Sequence, residues 1–116
     1  GTERPYTGKL NKFYEKGVYR CASCGNFLFS SKHKYDSRTG WPSFWEKFSE
    51  NSIDTRPDRS LLLYTRTEVI CKRCGAHQGH VFDDGPPPTR LRYCINSKAM
   101  TFMSDSELQQ KDITLR

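Results

Sequence analysis

Two short stretches decide how this chain folds: Cys21-Ala-Ser-Cys24-Gly and Cys71-Lys-Arg-Cys74-Gly. In each, two cysteines three positions apart form a turn that directs both sulfurs to one point, and the glycine takes the tight backbone conformation that follows. Two such turns supply four thiolates, the complete shell of a tetrahedral zinc site. We therefore expect one structural Zn²⁺ that joins two halves of the chain. Such a shell has no open position, so the metal should do no chemistry itself.

Other uses of these cysteines stay open in the sequence. Two disulfides would need the same four residues, whereas a redox dithiol of the thioredoxin kind explains one pair but not its twin. Cys71, Cys74, His77 and His80 also have the order of a two-cysteine, two-histidine site. That arrangement leaves the first pair unused and crowds four ligands into ten residues, so we favour the four-cysteine site.

A metal staple suits the composition. With 116 residues the chain has the length of one domain, and we expect a single domain over residues 1–116. Hydrophobic residues make up 34%, or about 35% once glycine replaces tyrosine in the count, against a typical ~45–50%. A core this thin favours a covalent or metal staple. No apolar run reaches the roughly 18 residues of a membrane span, and the first ten residues lack the apolar stretch of a signal peptide.

The fifth cysteine, Cys94, lies in a stretch where apolar and polar residues alternate from Arg90 to Ser97. A period of two predicts a strand with one apolar and one polar face. Cys94 falls on the polar face, two residues from both Arg92 and Asn96. Free cysteines are often buried structural thiols. A nearby guanidinium, however, favours the thiolate, which is the nucleophilic form, so we expect a reactive Cys94.

Most of the chain consists of short strands and turns, which predicts an all-β domain. A short helix is expected from Trp45 to Asn51 and a polar turn from Asp54 to Arg59. Ser104-Asp-Ser-Glu107 has the pattern of a capping box that starts a terminal helix. The three prolines within residues 83–88 exclude both helix and central strand. Strands are predicted at residues 17–21, 26–29, 61–70, 90–97 and 99–103.

Several motifs occur together in one order and spacing. They are the two Cys-x-x-Cys-Gly turns, Gly1-Thr-Glu-Arg-Pro5, Gly40-Trp-Pro-Ser-Phe44, Gly79-His-Val-Phe-Asp-Asp-Gly-Pro86 and Arg92-Tyr-Cys-Ile-Asn-Ser97. From Gly1 to about Phe102 the chain closely resembles the B-type methionine-R-sulfoxide reductases. The resemblance implies a tent-like, all-β fold of two antiparallel sheets with few short helices and a structural zinc at Cys21, Cys24, Cys71 and Cys74.

The resemblance also implies a reaction. Methionine sulfoxide has two epimers, each with its own enzyme, and the B type reduces the R epimer. Cys94 matches the family's nucleophile and would become a sulfenic acid. His77 and His80 match candidate acids for the departing oxygen. Arg92 and Asn96 match further active-site residues, and Trp41, His80 and Phe82 would contact the substrate.

The chain departs from the family pattern in two places. Many members carry a resolving cysteine in the loop before Gly-Trp-Pro, where this chain has Ser37-Arg-Thr39. We therefore expect an external thiol, such as thioredoxin, glutaredoxin or glutathione, to reduce Cys94. Gln78 stands where the family usually has an apolar residue. Oxidised proteins or free methionine-R-sulfoxide are the expected substrates, and we expect a monomer. The reactive thiol suits a reducing compartment, the cytoplasm or an organelle interior after loss of a leader.

Two other classes of protein compete with an enzyme. The net charge of +6 and paired cysteine turns superficially fit a zinc ribbon that binds nucleic acid. However, Asp83 and Asp84 lie beside the candidate site, and no basic stripe with interleaved aromatic residues is present. We expect neither a nucleic acid nor a membrane partner. A ligand-binding domain on a similar scaffold would need the aromatic residues but not Cys94, so Cys94 favours the enzyme.

Overall fold

Short antiparallel strands build most of the molecule, seen here in a computed structural model that describes residues 3–58 and 65–111. The strands are β1 Gly17–Cys21, β2 Phe27–Ser30, β3 Lys34–Tyr35, β4 Ser43–Phe44, β5 Ile53–Asp58, β6 Arg66–Cys71, β7 His77–Phe82, β8 Arg92–Ile95 and β9 Met100–Ser104. One helix, α1 Asp105–Gln110, and two 3₁₀ turns, Ser31–His33 and Ser97–Ala99, complete the described elements.

The strands form two sheets. The smaller has three strands in the order β2-β1-β9, and the larger has six in the order β3-β4-β8-β7-β6-β5. Every neighbouring pair is antiparallel. The predicted class, all-β with two antiparallel sheets and few short helices, is confirmed. No helix in the described ranges has the length and apolar character needed to cross a membrane.

Aromatic side chains fill the space between the sheets. The Phe29 ring on β2 stacks on the Phe44 ring on β4 with centroids 4.4 Å apart. Tyr19 on β1 meets the same Phe44 edge-on at 5.0 Å, and all three side chains are fully buried. A small number of large aromatic rings buries a large apolar area, so a chain with a low content of apolar residues still forms a core.

The prediction of a helix from Trp45 to Asn51 is wrong. These residues form bends and turns, because their backbone amides bond to other parts of the sheet region instead of to carbonyls one helical turn earlier. Trp45 N–H donates to the carbonyl of His33 at 3.0 Å, and Phe48 N–H donates to that of Leu28 at 2.8 Å. Tertiary partners thus replace the hydrogen bonds a helix would need.

The turn predicted from Asp54 to Arg59 is also wrong over its described residues, 54–58; Arg59 lies outside them. β5 pairs with β6 along its whole length, from Ile53 opposite Cys71 to Asp58 opposite Arg66. Because β5 is an edge strand, Pro57 fits there despite lacking an N–H group. Of the strand predicted at residues 61–70, residues 61–64 lie outside the described ones, and the strand is present from Arg66.

Other local predictions are confirmed. β1 has the predicted bounds, and residues 83–88 form a loop. The capping box before α1 is complete: Glu107 N–H donates to Ser104 Oγ, and Ser104 N–H donates to Glu107 Oε1, each at 3.1 Å. β7 was not predicted, because its sequence, His-Gln-Gly-His-Val-Phe, lacks a regular apolar alternation.

Candidate functional site

The four paired cysteines meet in one cluster. Their sulfurs all lie within 4.8 Å of one another, with Cys21 Sγ 3.7 Å from Cys74 Sγ and Cys24 Sγ 3.6 Å from Cys71 Sγ. Disulfide sulfurs lie about 2.05 Å apart, so these are not disulfides. Four sulfurs about 2.3 Å from one zinc ion lie about 3.8 Å from each other in a tetrahedron. The spacing therefore fits a four-thiolate metal site.

The two cysteine turns have nearly the same backbone. Gly25 and Gly75 have φ of +80° and +79°, and each donates its N–H, at 2.8 Å, to the carbonyl of the first cysteine of its turn, Cys21 or Cys71. This left-handed conformation explains the glycine after each pair. Burial disfavours a Cys71 thiolate, but backbone hydrogen bonds to its sulfur lower the pKa of Cys71 to about 7.

The cluster joins the two sheets, because Cys21 ends β1 of the smaller sheet and Cys71 ends β6 of the larger. Gln78, on β7 of the larger sheet, also contacts the smaller sheet. Its side chain is fully buried, and its amide nitrogen lies 3.5 Å from Cys21 Sγ. The polar residue that departs from the family pattern thus lies against the cluster from β7.

The candidate active site is a row of side chains running across the larger sheet, one from each strand. Register places each member opposite the next, so their side chains share one face. The row is Tyr35, Ser43, Cys94, His80, Glu68 and Arg56. Cys94 lies on β8 near its centre, between Ser43 of β4 and His80 of β7. Ser43 and Cys94, separated by 51 positions in the sequence, are neighbours here only because the strands pair.

Cys94 is partly exposed and has polar neighbours. Its sulfur lies 3.5 Å from Arg92 Nη1 and 3.5 Å from Thr39 Oγ1. Ser43 Oγ is 4.0 Å away. A partly exposed thiol next to a guanidinium is a typical setting for a reactive cysteine. The predicted strand bearing Cys94 and Arg92 on one face is present.

Each histidine on β7 is paired with a carboxylate. His77 Nδ1 lies 2.6 Å from Glu68 Oε2, and His80 Nε2 lies 2.7 Å from Asp58 Oδ2. The two rings are 5.5 Å apart. A carboxylate on one ring nitrogen fixes the orientation of an imidazole. The two histidines are thus held side by side, with His80 opposite Cys94 on the neighbouring strand.

Arginines from the neighbouring strands hold these carboxylates in turn. Arg56 Nε donates to Glu68 Oε1 at 2.7 Å, and Arg66 Nη2 lies 3.4 Å from Asp58 Oδ2. The hydrogen bond from Arg56 is the largest cause that lowers the pKa of Glu68; burial opposes it, and the bond to His77 adds to it. Glu68 therefore stays ionised beside His77 at neutral pH.

Arg92 is fixed from two sides. Its Nε and Nη2 donate to the two carboxylate oxygens of Asp84 at 2.8 and 3.0 Å. Its guanidinium also lies 4.3 Å from the centre of the Phe82 ring. Hydrogen bonding from Arg92 lowers the pKa of Asp84. A bidentate pair and a stacked ring leave a third nitrogen, Nη1, directed at Cys94.

Trp41 and Asn96 flank the row from the loop before β4 and the end of β8. The Trp41 indole nitrogen donates to the carbonyl of Glu3 at 2.9 Å. Asn96 is buried, and its Oδ1 accepts from Glu3 N–H at 3.3 Å. The backbone of Glu3 therefore contacts both Trp41 and Asn96.

A family model described as SelR domain matches residues 1–104. The chain belongs to this family. It is 52% identical to "Peptide methionine sulfoxide reductase MsrB" of Methanosarcina barkeri (strain Fusaro / DSM 804), over 95% of this chain and 77% of that protein. The protein of the same name from Hahella chejuensis (strain KCTC 2396) is 50% identical, over 97% and 81%. "Methionine-R-sulfoxide reductase B1" of Drosophila melanogaster is 52% identical, over 90% and 55%. The resemblance to the B-type reductases is confirmed.

In this SelR-family chain, the structure gathers the residues that the sequence analysis selected. Cys94, Arg92, His77 and His80 come together on one sheet face, with Phe82 packed on Arg92. Sequence reasoning missed the groups that hold them, chiefly Asp58, Glu68 and Arg66. Alternation of polar residues along β5 and β6 is the only signal that could have suggested them, and it does not say which histidine each would meet.

Proposed function

We propose that this chain reduces methionine-(R)-sulfoxide to methionine, in oxidised proteins or as the free amino acid, with Cys94 as the nucleophile. One observation carries the proposal: Cys94 lies directly opposite His80 on the paired strand, with Arg92 3.5 Å from its sulfur. A nucleophile, a proton donor and a fixed cation therefore face the same space. The names of the relatives at about 50% identity support the same reaction.

In the first step, the Cys94 thiolate attacks the sulfoxide sulfur. As the sulfur–oxygen bond weakens, the oxygen gains negative charge and takes up a proton. The protonated oxygen then passes from the substrate sulfur to the Cys94 sulfur as the bond between the two sulfurs breaks. Methionine leaves with its sulfur reduced by two electrons, and Cys94, oxidised by two electrons, becomes a sulfenic acid. Arg92 Nη1 stabilises the thiolate before attack.

His77 and His80 supply the proton. Histidine gains and loses a proton near neutral pH, and general-acid help of this kind is typically worth about 10²–10⁴-fold in rate. The carboxylates of Glu68 and Asp58 hold the two rings in place for the transfer. Asn96, two residues after Cys94 and just past the end of β8, is the remaining polar group that we assign to the reaction.

Trp41 and Phe82 provide the apolar contacts for the substrate. The indole of Trp41 offers a flat wall for the S-methyl group, and the Phe82 ring beside Arg92 lies next to the methionine side chain. The histidines lie on β7, to one side of Cys94, and the sulfoxide oxygen would point towards them. We assign the R epimer from the name of the relative called "Methionine-R-sulfoxide reductase B1".

An external thiol returns Cys94 to the thiol form. Within the described ranges, the groups nearest Cys94 Sγ from the loop at residues 37–43 are hydroxyls, Thr39 Oγ1 and Ser43 Oγ, and the other four cysteines form the cluster. One thiol condenses with the sulfenic acid to a mixed disulfide and water, and a second thiol releases Cys94. Thioredoxin, glutaredoxin or a small thiol such as glutathione fits this role.

The cysteine cluster holds one structural Zn²⁺ through Cys21, Cys24, Cys71 and Cys74. With four thiolates it has no open position, so the ion's contribution is to fold and not to the reaction. It ties β1 of the smaller sheet to β6, which pairs with the strand that carries both histidines. We assign all of residues 1–116 to one domain, active as a monomer in a reducing compartment.

Separated R and S epimers of a methionine sulfoxide test the proposal. With dithiothreitol or thioredoxin as reductant, we expect methionine to form from the R epimer alone. Cys94→Ser should lose turnover by more than about 10³-fold, because the nucleophile is gone, while keeping wild-type circular dichroism and zinc content. Full turnover in Cys94→Ser, or equal use of both epimers, would refute the assignment.

A further inference from the structure

Two of the assigned site residues, Trp41 on the substrate side and Asn96 among the reaction groups, both bond to the backbone of Glu3. The Trp41 indole N–H donates to the Glu3 carbonyl at 2.9 Å, and Glu3 N–H donates to Asn96 Oδ1 at 3.3 Å. An indole has one donor, so this bond sets the rotation of the Trp41 ring. The orientation of both side chains therefore depends on where the Glu3 backbone lies.

The side chain of Glu3 fixes that backbone to the turn after β8. Lys98 N–H, in the Ser97–Ala99 turn, donates to Glu3 Oε1 at 3.2 Å. The space around the carboxylate is full: a Cβ at Gly8 would lie 2.2 Å from Glu3 Oε2 and 2.1 Å from Ser97 Oγ. Glu3 Oε2 is the buried oxygen of the carboxylate, whereas the bond from Lys98 N–H to Oε1 lies at the surface.

Residues 3–8, the segment that contains Glu3, also form hydrogen bonds to the loop that carries Trp41. Tyr6 N–H donates to the Gly40 carbonyl at 2.6 Å, and Tyr6 OH donates to the Arg38 carbonyl at 3.0 Å. Gly40 has φ of +92°, and a Cβ there would meet Pro5 and Tyr6 at 2.7 Å. Residues 3–8 therefore span the gap between the Trp41 loop and the end of β8.

We propose that Glu3 is a positioning residue for the substrate site: its carboxylate locks residues 3–8 to the turn after β8, and its backbone then sets the Trp41 indole and the Asn96 amide. Detachment of the segment would leave Trp41 without its hydrogen bond and free to rotate. Only the attached fraction of molecules would offer the wall for the S-methyl group, which weakens apparent binding in proportion. The inference rests on the proposed function for its kinetic consequence but not for its structural one.

The test compares Glu3→Ala, Glu3→Gln and Arg4→Ala. Glu3→Ala should raise KM for the R-sulfoxide about five-fold, the factor that corresponds to one hydrogen bond of ordinary net strength, with kcat within about two-fold. Glu3→Gln should restore wild-type KM, because its amide oxygen still accepts from Lys98 N–H. Arg4 is exposed in the same segment, so Arg4→Ala is the matched control and should change nothing.

Fluorescence provides a readout that does not depend on turnover. In a Trp45→Phe background, Trp41 is the remaining tryptophan of the two in the chain. Glu3→Ala should raise its acrylamide quenching constant about two-fold, and Glu3→Gln should not. Unchanged quenching in Glu3→Ala, or a lower melting temperature with unchanged KM, overturns the positioning role. If even the wild type fails to reduce sulfoxide, the proposed function fails, and quenching alone decides the role of Glu3.

Discussion

In the wild type an external thiol reacts with the sulfenic acid of Cys94. In a Thr39→Cys variant the new thiol should react with it instead and form a disulfide within the chain. Thr39 Oγ1 lies 3.5 Å from Cys94 Sγ, in the loop before β4. A sulfur at that place must approach by about 1.5 Å to reach the roughly 2.05 Å of a disulfide bond. Side-chain rotation and a small loop shift supply that, because Thr39 belongs to no strand.

The size of the effect follows from proximity. Groups held next to each other react with effective concentrations far above the millimolar range of groups joined by a flexible linker. An adjacent thiol should therefore capture more than about nine-tenths of the sulfenic acid before millimolar external thiol does. The chain would then need a reductant of disulfides, and turnover with thioredoxin should rise relative to turnover with a monothiol.

One turnover without reductant measures the outcome. After one equivalent of R-sulfoxide, the wild type should gain one oxygen in mass and lose one titratable thiol. Thr39→Cys should instead lose two hydrogens in mass and two thiols. Ser37→Cys is the matched control: Ser37 Oγ bonds to Ser43 Oγ at 2.6 Å and to Thr39 Oγ1 at 2.8 Å, one hydroxyl further from Cys94. A Thr39→Cys protein that still accumulates a sulfenic acid would refute this reading of the site.

Three further predictions concern the metal, the histidines and pH. Cys21→Ser should release the zinc and unfold the chain, as followed by metal analysis and circular dichroism; a native melting temperature with one bound zinc would contradict the four-thiolate site. Glu68→Gln should lower kcat about ten-fold, since it removes the charge that holds His77, with KM nearly unchanged; wild-type kcat would show that the pair has no part in proton transfer. Burial lowers the pKa of Lys34 to about 8, against about 10.4 in an unfolded chain. Between these values the unfolded chain binds more protons, so the free energy of unfolding of the wild type should rise with pH relative to Lys34→Met, and a flat difference from pH 8 to 10 in denaturant titrations would refute the shift.

Local signals predicted the parts of this fold whose cause is local. The Cys-x-x-Cys-Gly turns depend on backbone hydrogen bonds within five residues and on a glycine with positive φ. Likewise the cap of α1 depends on Ser104 and Glu107, three positions apart. By contrast, the polar residues of β5 and its Pro57 predict a turn. Its strand conformation comes from pairing with β6, a partner that composition does not reveal.

The alternation around Cys94 likewise placed Arg92 on the same face, because residues two apart on a strand always share a face. Gln78 is an exception that the structure explains in part. As a polar residue at a usually apolar position it had no evident partner in the sequence, and its amide lies against Cys21 Sγ in the fold.

The sequence by itself determined the all-β class, the four cysteines that cluster and the one remaining cysteine, because spacing and alternation express geometry that a few consecutive residues enforce. Only the tertiary structure decided which groups surround that cysteine. His80 meets Cys94 and Glu68 meets His77 through the pairing of neighbouring strands, and Glu3 meets Trp41 where residues 3–8 cross the loop before β4. A shift of one residue in any of these registers would turn the side chains to the opposite face of the sheet.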